Sequence, residues 1–140
     1  MFEKCLYFNS NALARTVNRI WTEAYKPFDL SPSHAFLLRV VLTKPGLMPR
    51  ELAKELSLSR STVTRFLDSL EERDFLLRKT TTQDGREVQV YPKKKAIRLH
   101  KKLDLTGGTL SKLMGEIIGQ SELSQAVSSL RKIQRVLETR

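Results

Sequence analysis

Apolar side chains fall at Leu13, Val17, Ile20, Trp21 and Ala24, a spacing of 4, 3, 1 and 3 that draws one stripe along a helix. The stripe stops near Lys26-Pro27, because the residue before a proline is pushed out of the α region. Ser31-Pro32 predicts the next start, with the hydroxyl as N-cap and proline at the first helical position. The run Ala35-Phe36-Leu37-Leu38-Arg39-Val40-Val41-Leu42 is apolar almost all round, as in a helix at the centre of a core, and Lys44-Pro45-Gly46 closes it with a turn. A short helix from Pro49 to Leu56 follows, with Leu52, Ala53 and Leu56 on one face. After the turn Ser57-Leu58-Ser59, Ser59 caps another helix that buries Val63, Phe66, Leu67 and Leu70. Two short helices joined so tightly form a helix-turn-helix. Arg60, Ser61, Thr62, Thr64, Arg65 and Asp68 are left on the open face of the second.

Beyond Asp74 the period changes from that of a helix to that of a strand. Phe75 to Thr80 reads as one strand, and Glu87-Val88-Gln89-Val90-Tyr91 alternates as a half-buried strand should. Between them Asp84-Gly85 carries the signal of a hairpin turn. A β-hairpin directly behind a helix-turn-helix is a wing. Pro92 ends the second strand and opens a helix through Ala96, Leu99 and Leu103, which Thr106-Gly107-Gly108 is expected to interrupt. Leu110, Leu113, Met114, Ile117 and Ile118 resume the stripe up to Gly119. Ser121 is expected to cap a last helix with Leu123, Ala126, Leu130, Ile133 and Leu137 at heptad spacing.

The expected fold is therefore mainly α with a small β-hairpin wing (α+β), a winged helix-turn-helix flanked by N- and C-terminal dimerisation helices. Residues 1–140 read as one domain, with 31–92 as the winged part and 1–26 and 93–140 as the helical dimerisation part. Seams of this kind usually meet a symmetry mate, so a homodimer is expected. Apolar residues make up 40% of the 140, enough for a core and too many for a disordered tail. No stretch approaches the ~20 uninterrupted apolar residues of a membrane span. The first 25 residues lack the basic-then-apolar order of a signal peptide. The single cysteine, Cys5, excludes an internal disulfide framework and fits a reducing cytosol, so the expected location is cytoplasmic.

A net charge of +10 points to a polyanionic partner. Its distribution narrows this only in one place. Residues 78–95 hold six basic side chains (Arg78, Lys79, Arg86, Lys93, Lys94, Lys95) against two acidic ones, Asp84 and Glu87. The major groove accepts a helix and presents donors and acceptors on its base edges. Arg60 and Arg65 suit base edges and phosphate, and the hydroxyls of Ser59, Ser61, Thr62 and Thr64 suit phosphate oxygens or a thymine methyl. Arg50 and Lys79 join them as candidate contacts to double-stranded DNA. Arg86 at the hairpin tip fits a narrow minor groove. Asp84 pairs with Arg86 or with an arginine of the recognition helix to hold the wing. A solvated helix face and a surface Asp-Arg pair are the plain alternatives. One cysteine and two distant histidines, His34 and His100, make no metal site, and neither catalytic residues nor a cofactor motif is visible, so no enzyme is expected.

Pro49-Arg50-Glu51-Leu52-Ala53-Lys54-Glu55-Leu56-Ser57-Leu58-Ser59-Arg60-Ser61-Thr62-Val63-Thr64-Arg65 closely resembles the helix-turn-helix of the MarR family of regulators. Phe66 through Leu76 is similar to the family's helix end and strand start, Asp84-Gly85-Arg86 to its Asp-x-Arg wing motif, and Asp29-Leu30-Ser31-Pro32 to its lead-in. The resemblance spans about residues 5 to 103. Two departures stand out. The family usually has glycine where Asp74 stands, and a Leu-Thr-x-x-Gly segment where this chain reads Tyr91-Pro92-Lys93-Lys94-Lys95-Ala96. The junction after the wing is expected to differ accordingly.

The resemblance implies an obligate dimer joined through its first and last helices. It also implies a regulator that represses or activates nearby genes, a repressor above all, and is released by a small ligand or by oxidation; two-fold symmetry in the dimer would be mirrored in a pseudo-palindromic operator. An effector pocket of the family's kind would draw on Arg15, Trp21, Tyr25 and His34, an aromatic surface with a cation for a small anionic aromatic ligand. Each is equally an ordinary core or first-turn residue. Cys5, at the head of the first helix with Lys4 beside it, resembles the cysteine of peroxide-sensing relatives. A lone cysteine is more often inert. A winged helix that docks protein as an antirepressor, without specific DNA binding, is the rival reading.

Overall fold

A computed structural model describes residues 1–80, 83 and 85–140. In order the elements are α1 (Leu6–Tyr25), a 3-10 turn (Lys26–Phe28), α2 (Pro32–Thr43), α3 (Pro49–Leu56), α4 (Arg60–Glu72), β1 (Leu76–Thr80), β2 (Val88–Pro92), α5 (Lys94–Ile118) and α6 (Gln120–Glu138). Among the described residues no helix is long and apolar enough to cross a membrane. The chain divides into two compact units, Met1–Asp104 and Leu105–Arg140.

In the first unit the local signals act as expected. Ser31 caps α2 by accepting the backbone N–H of His34 at 3.1 Å, and Pro32 occupies the first turn, where its missing N–H loses nothing. Glu51 caps α3, its carboxylate accepting the N–H of Met48 at 3.0 Å. Ser57 ends α3 in the left-handed region (φ 54), which turns the chain sharply enough for α4 to start three residues later. Ser59 caps α4 by accepting the N–H of Thr62 at 3.2 Å. The wing strands pair antiparallel in a register that sets Leu76 opposite Pro92 and Thr80 opposite Val88. Gly46 and Leu47 extend this sheet through Gly46 N–H to Val90 O (2.8 Å) and Val90 N–H to Leu47 O (2.9 Å). Gly46 takes φ +95, and a Cβ there would lie 3.2 Å from the Tyr91 hydroxyl, so the close approach of turn and strand needs glycine.

The core of this unit gathers Leu37, Leu38 and Val41 from α2, Leu52 from α3, Val63, Leu67 and Leu70 from α4, and Phe75, Leu76 and Val90 around the wing. Ala96 and Leu103 bring the start of α5 into it. Arg73 ties the lead-in of α2 to the end of α4, donating from Nη2 to the Asp29 carbonyl at 2.7 Å.

The junction after the wing shows what the two departures from the family pattern do. Asp74 stands in the left-handed region (φ 64), where glycine is the unstrained choice. Its carboxylate meets Lys93 Nζ at 2.9 Å, and the hydrogen bond to Lys93 holds its pKa below the usual carboxylate range. Lys95 donates to the Arg73 carbonyl at 2.9 Å and lies 4.3 Å over the Phe75 ring. The unusual Asp74 and the unusual lysine segment are thus one contact.

Two expectations are overturned beyond this point. Gly107 and Gly108 do not interrupt the helix, since α5 runs unbroken from Lys94 to Ile118. Two glycines cost about 1 kcal/mol each against alanine, too little to stop a helix flanked by good formers such as Leu103, Leu105, Leu110 and Lys112. The break comes instead at Gly119 (φ +101), which takes the cap position of α6 in place of Ser121. Within the second unit α6 buries no side chain. Leu130 is 49% exposed, Val136 57% and Leu137 52%.

Candidate nucleic-acid interface

The helix-turn-helix and the wing bring the sequence-predicted arginines together. Arg50 from the first turn of α3, Arg60 from the first turn of α4 and Arg86, two residues before β2, line one pocket of about 200 Å³, with Met48, Pro49, Glu87 and Val88. All three guanidinium groups belong to exposed residues. The side chains of Arg50 and Arg60 have no hydrogen-bond or ion-pair partner among the described residues. Three cations from three segments and one carboxylate, Glu87, share this small space, which leaves it net positive. Such a cluster is stabilised by an anion.

The rest of the α4 face is pre-arranged by its own hydroxyls. The Ser59 hydroxyl caps the helix, meets Thr62 Oγ1 at 2.8 Å and lies 3.2 Å from Ser61 Oγ. Thr64 Oγ1 donates to the Arg60 carbonyl at 2.9 Å. Arg65 Nη2 lies 3.4 Å from Thr62 Oγ1, a weak bond that aims the guanidinium along the helix. Lys79 is exposed on β1 with its ammonium 5.3 Å from the centre of the Tyr91 ring. Gly85, with φ +72, has the backbone that the hairpin turn demands. Asp84, and with it the proposed pair to Arg86, lies outside the described residues.

The four residues assigned to an effector pocket are spread more widely. Arg15 is exposed on α1 and Trp21 half-buried. Tyr25 is fully buried between Phe28 and Phe36, its hydroxyl accepting from Arg39 Nη1 at 3.4 Å. His34 packs edge-on against Phe66 with centroids 4.7 Å apart; burial first, then the charge of Arg73, lowers its pKa. A pocket of about 360 Å³ opens nearby, lined by Phe36, Arg39, Val40, Thr43, Lys44, Glu55, Leu56 and Asp104. Ion pairs Arg39–Asp104 (3.0 Å) and Lys44–Glu55 (3.4 Å) flank it. Sequence reasoning passed over Arg39, whose only signal was a cation inside an apolar run. Cys5 is exposed at the N-cap of α1.

Arg78 was likewise read only as part of a basic stretch. It donates from Nη2 to Asp68 at 2.8 Å and from Nε to Glu71 at 2.9 Å. Burial works against its charge, but these two bonds outweigh it and raise its pKa. A cation at the third position of β1, directly after the apolar pair Leu76-Leu77, was the available signal, since a half-buried cation calls for a carboxylate partner.

The chain shares its fold with solved regulators at low identity. It aligns to MepR of S. aureus in a DNA complex with TM-score 0.85 and 18% identity, over 96% of this chain and 99% of that one. FabT of Streptococcus pneumoniae in complex with DNA aligns with TM-score 0.72 and 20% identity, over 96% of each chain. The PcaV transcriptional regulator of Streptomyces coelicolor with its natural ligand aligns with TM-score 0.77 and 19% identity, over 96% of this chain and 95% of that one. No curated protein sequence matches. The sequence model of the MarR family matches residues 30–88, from the lead-in of α2 to the first residue of β2. Over its winged helix-turn-helix, residues 30–88, the chain is similar in sequence to the MarR family.

Proposed function

We propose that this protein is a transcriptional repressor that binds a pseudo-palindromic operator in double-stranded DNA as a homodimer. The observation that carries this reading is the meeting of Arg50, Arg60 and Arg86 from three segments in one pocket beside the polar face of α4. A recognition helix laid in a major groove puts its first turn at the bases, and the wing then reaches the adjacent groove or backbone. Arg60 and Arg65 serve base edges and phosphates. Arg50, Lys79 and the hydroxyls of Ser59, Ser61 and Thr62 serve the backbone, with the Thr64 methyl facing the groove. Arg86 serves the minor groove or its phosphates. MepR and FabT, which share the fold, are held in complexes with DNA.

The homodimer is supported by the apolar seams. Leu13 and Val17 on α1 are exposed in the single chain, and so are Leu130, Ile133 and Leu137 on α6. Two-fold symmetry in the protein is mirrored as half-sites in the operator. Release by a small anionic aromatic ligand is supported by the pocket at Phe36 and Arg39, which joins an aromatic wall to a guanidinium within reach of the buried Tyr25 hydroxyl. Arg15, Trp21 and His34 form the outer candidates for that ligand. Oxidation of the exposed Cys5 is the second route of release.

The test is a salt series of binding to the DNA upstream of the protein's own gene, against a scrambled duplex of equal length. Tighter binding to the native duplex, a steep fall with salt and two subunits per duplex are expected. Equal and weak binding to both duplexes would overturn the reading in favour of a winged helix that docks protein. The same titration with salicylate-like acids and with hydrogen peroxide tests the two routes of release.

A further inference from the structure

The open face of α4 carries one carboxylate. Asp68 lies one turn beyond Thr64 and Arg65 and two turns beyond Ser61, on the same stripe. Glu71 stands one turn further along, on the flank that faces β1. An uncovered carboxylate on a helix laid against DNA would repel the phosphates that Arg60 and Arg65 attract. Here each is paired with a cation. Arg78, reaching across from β1, gives one N–H of its fork to each: Nη2 to Asp68 at 2.8 Å and Nε to Glu71 at 2.9 Å. Its side chain is 29% exposed, while Asp68 is 60% and Glu71 40% exposed, so the guanidinium lies beneath the acids rather than in front of them. A planar fork spans two separate carboxylates in this way; the single point charge of a lysine does not.

We propose that Arg78 is a positioning residue of the nucleic-acid interface: it masks two of the three carboxylates of the recognition helix, Asp68 and Glu71, and fixes that helix to the wing. The inference rests on the DNA-binding reading above. Arg78 itself makes no contact with the nucleic acid. Its effect is that Asp68 and Glu71 are neutralised next to the charges of Arg60 and Arg65, and that the helix and β1 approach the duplex as one body. The recognition face is therefore built from the strand as much as from the helix.

The test compares wild type, Arg78→Gln, Arg78→Lys and the triple variant Arg78→Gln/Asp68→Asn/Glu71→Gln, with circular dichroism verifying the fold of each. Arg78→Gln is expected to weaken operator binding about tenfold or more, because two bare carboxylates then face the backbone. The triple variant, which has neither the clamp nor those two carboxylates, is expected to regain affinity close to wild type. Arg78→Lys, which retains the charge and the fold if Arg78→Gln does not fold, is expected to fall between the two. A triple variant as weak as Arg78→Gln would overturn the masking role. If its salt slope had also dropped by about 0.9, Arg78 would be a direct phosphate contact. If the slope were unchanged, the role would be structural only. Elution from immobilised heparin, a polyanion without sequence, separates this outcome from failure of the parent reading. Wild type that binds heparin but no duplex would overturn the operator reading, and the order of elution of the four proteins would still decide the mask.

Discussion

The winged segment and the last helix are built on the same amphipathic pattern and end in opposite states. Along α2, α3, α4 and the wing the apolar stripes close on one another, so that Leu37, Leu38, Leu52, Leu67, Leu70 and Leu76 are all at or below 1% exposure. Along α6 the stripe Leu123, Ala126, Leu130, Ile133 and Leu137 is as regular, and the helix buries no side chain. Periodicity records that a face needs covering. It does not record what covers it; in the homodimer proposed above a second copy of the chain covers this seam.

Breaking each region separately tests that contrast. Leu67→Ala, in the closed core, is expected to destabilise the chain by about 2–5 kcal/mol, read as a shift in the urea midpoint. Paired changes Leu130→Asp and Ile133→Asp, in the bare seam, are expected to halve the mass in sedimentation velocity while the winged part remains folded by circular dichroism. An unchanged mass would exclude this seam as the dimer contact. Asp74→Gly relieves the left-handed backbone and removes an exposed ion pair worth roughly 0–1 kcal/mol. Since the backbone gain is of order 1 kcal/mol, the net change is expected to be a small stabilisation. Combining it with Lys93→Ala is expected to add no further loss, and a clear further loss in a thermal melt would disprove the coupling of the two.

The smallest effect should come from acid. His34 has its pKa lowered in the folded chain by burial and by Arg73. Between that lowered value and the ordinary histidine value of about 6.5, the unfolded chain binds the extra proton and the folded chain does not. Stability is therefore fully present above about pH 6.5 and declines as pH falls below it. Melting curves at about pH 7 and about pH 5 should show this drop, and His34→Gln should reduce it. A drop of equal size in His34→Gln would assign it to other groups.

Much of the winged fold was legible because its signals are local. Ser31-Pro32, Pro49 and Ser57-Leu58-Ser59 act within one turn of the backbone, and each element begins or ends there as expected. The sequence misled at Gly107-Gly108, where a modest local propensity was set against a helix of 25 residues, and the helix prevailed. Of the interface, Arg50, Arg60 and Arg86 could be named one at a time. That they share a pocket depends on how α3, α4 and the hairpin pack.

The sequence by itself determined the order of elements through the winged part, the serine caps that start α2 and α4, and the faces that must be covered. These follow from hydrogen bonds and side-chain spacing within a few residues. The tertiary structure alone decided which distant charges meet: Arg78 with Asp68 and Glu71, Asp74 with Lys93, Arg39 with Asp104. Ion pairing depends on distances of a few ångströms between atoms far apart in the chain, and no local period carries that information.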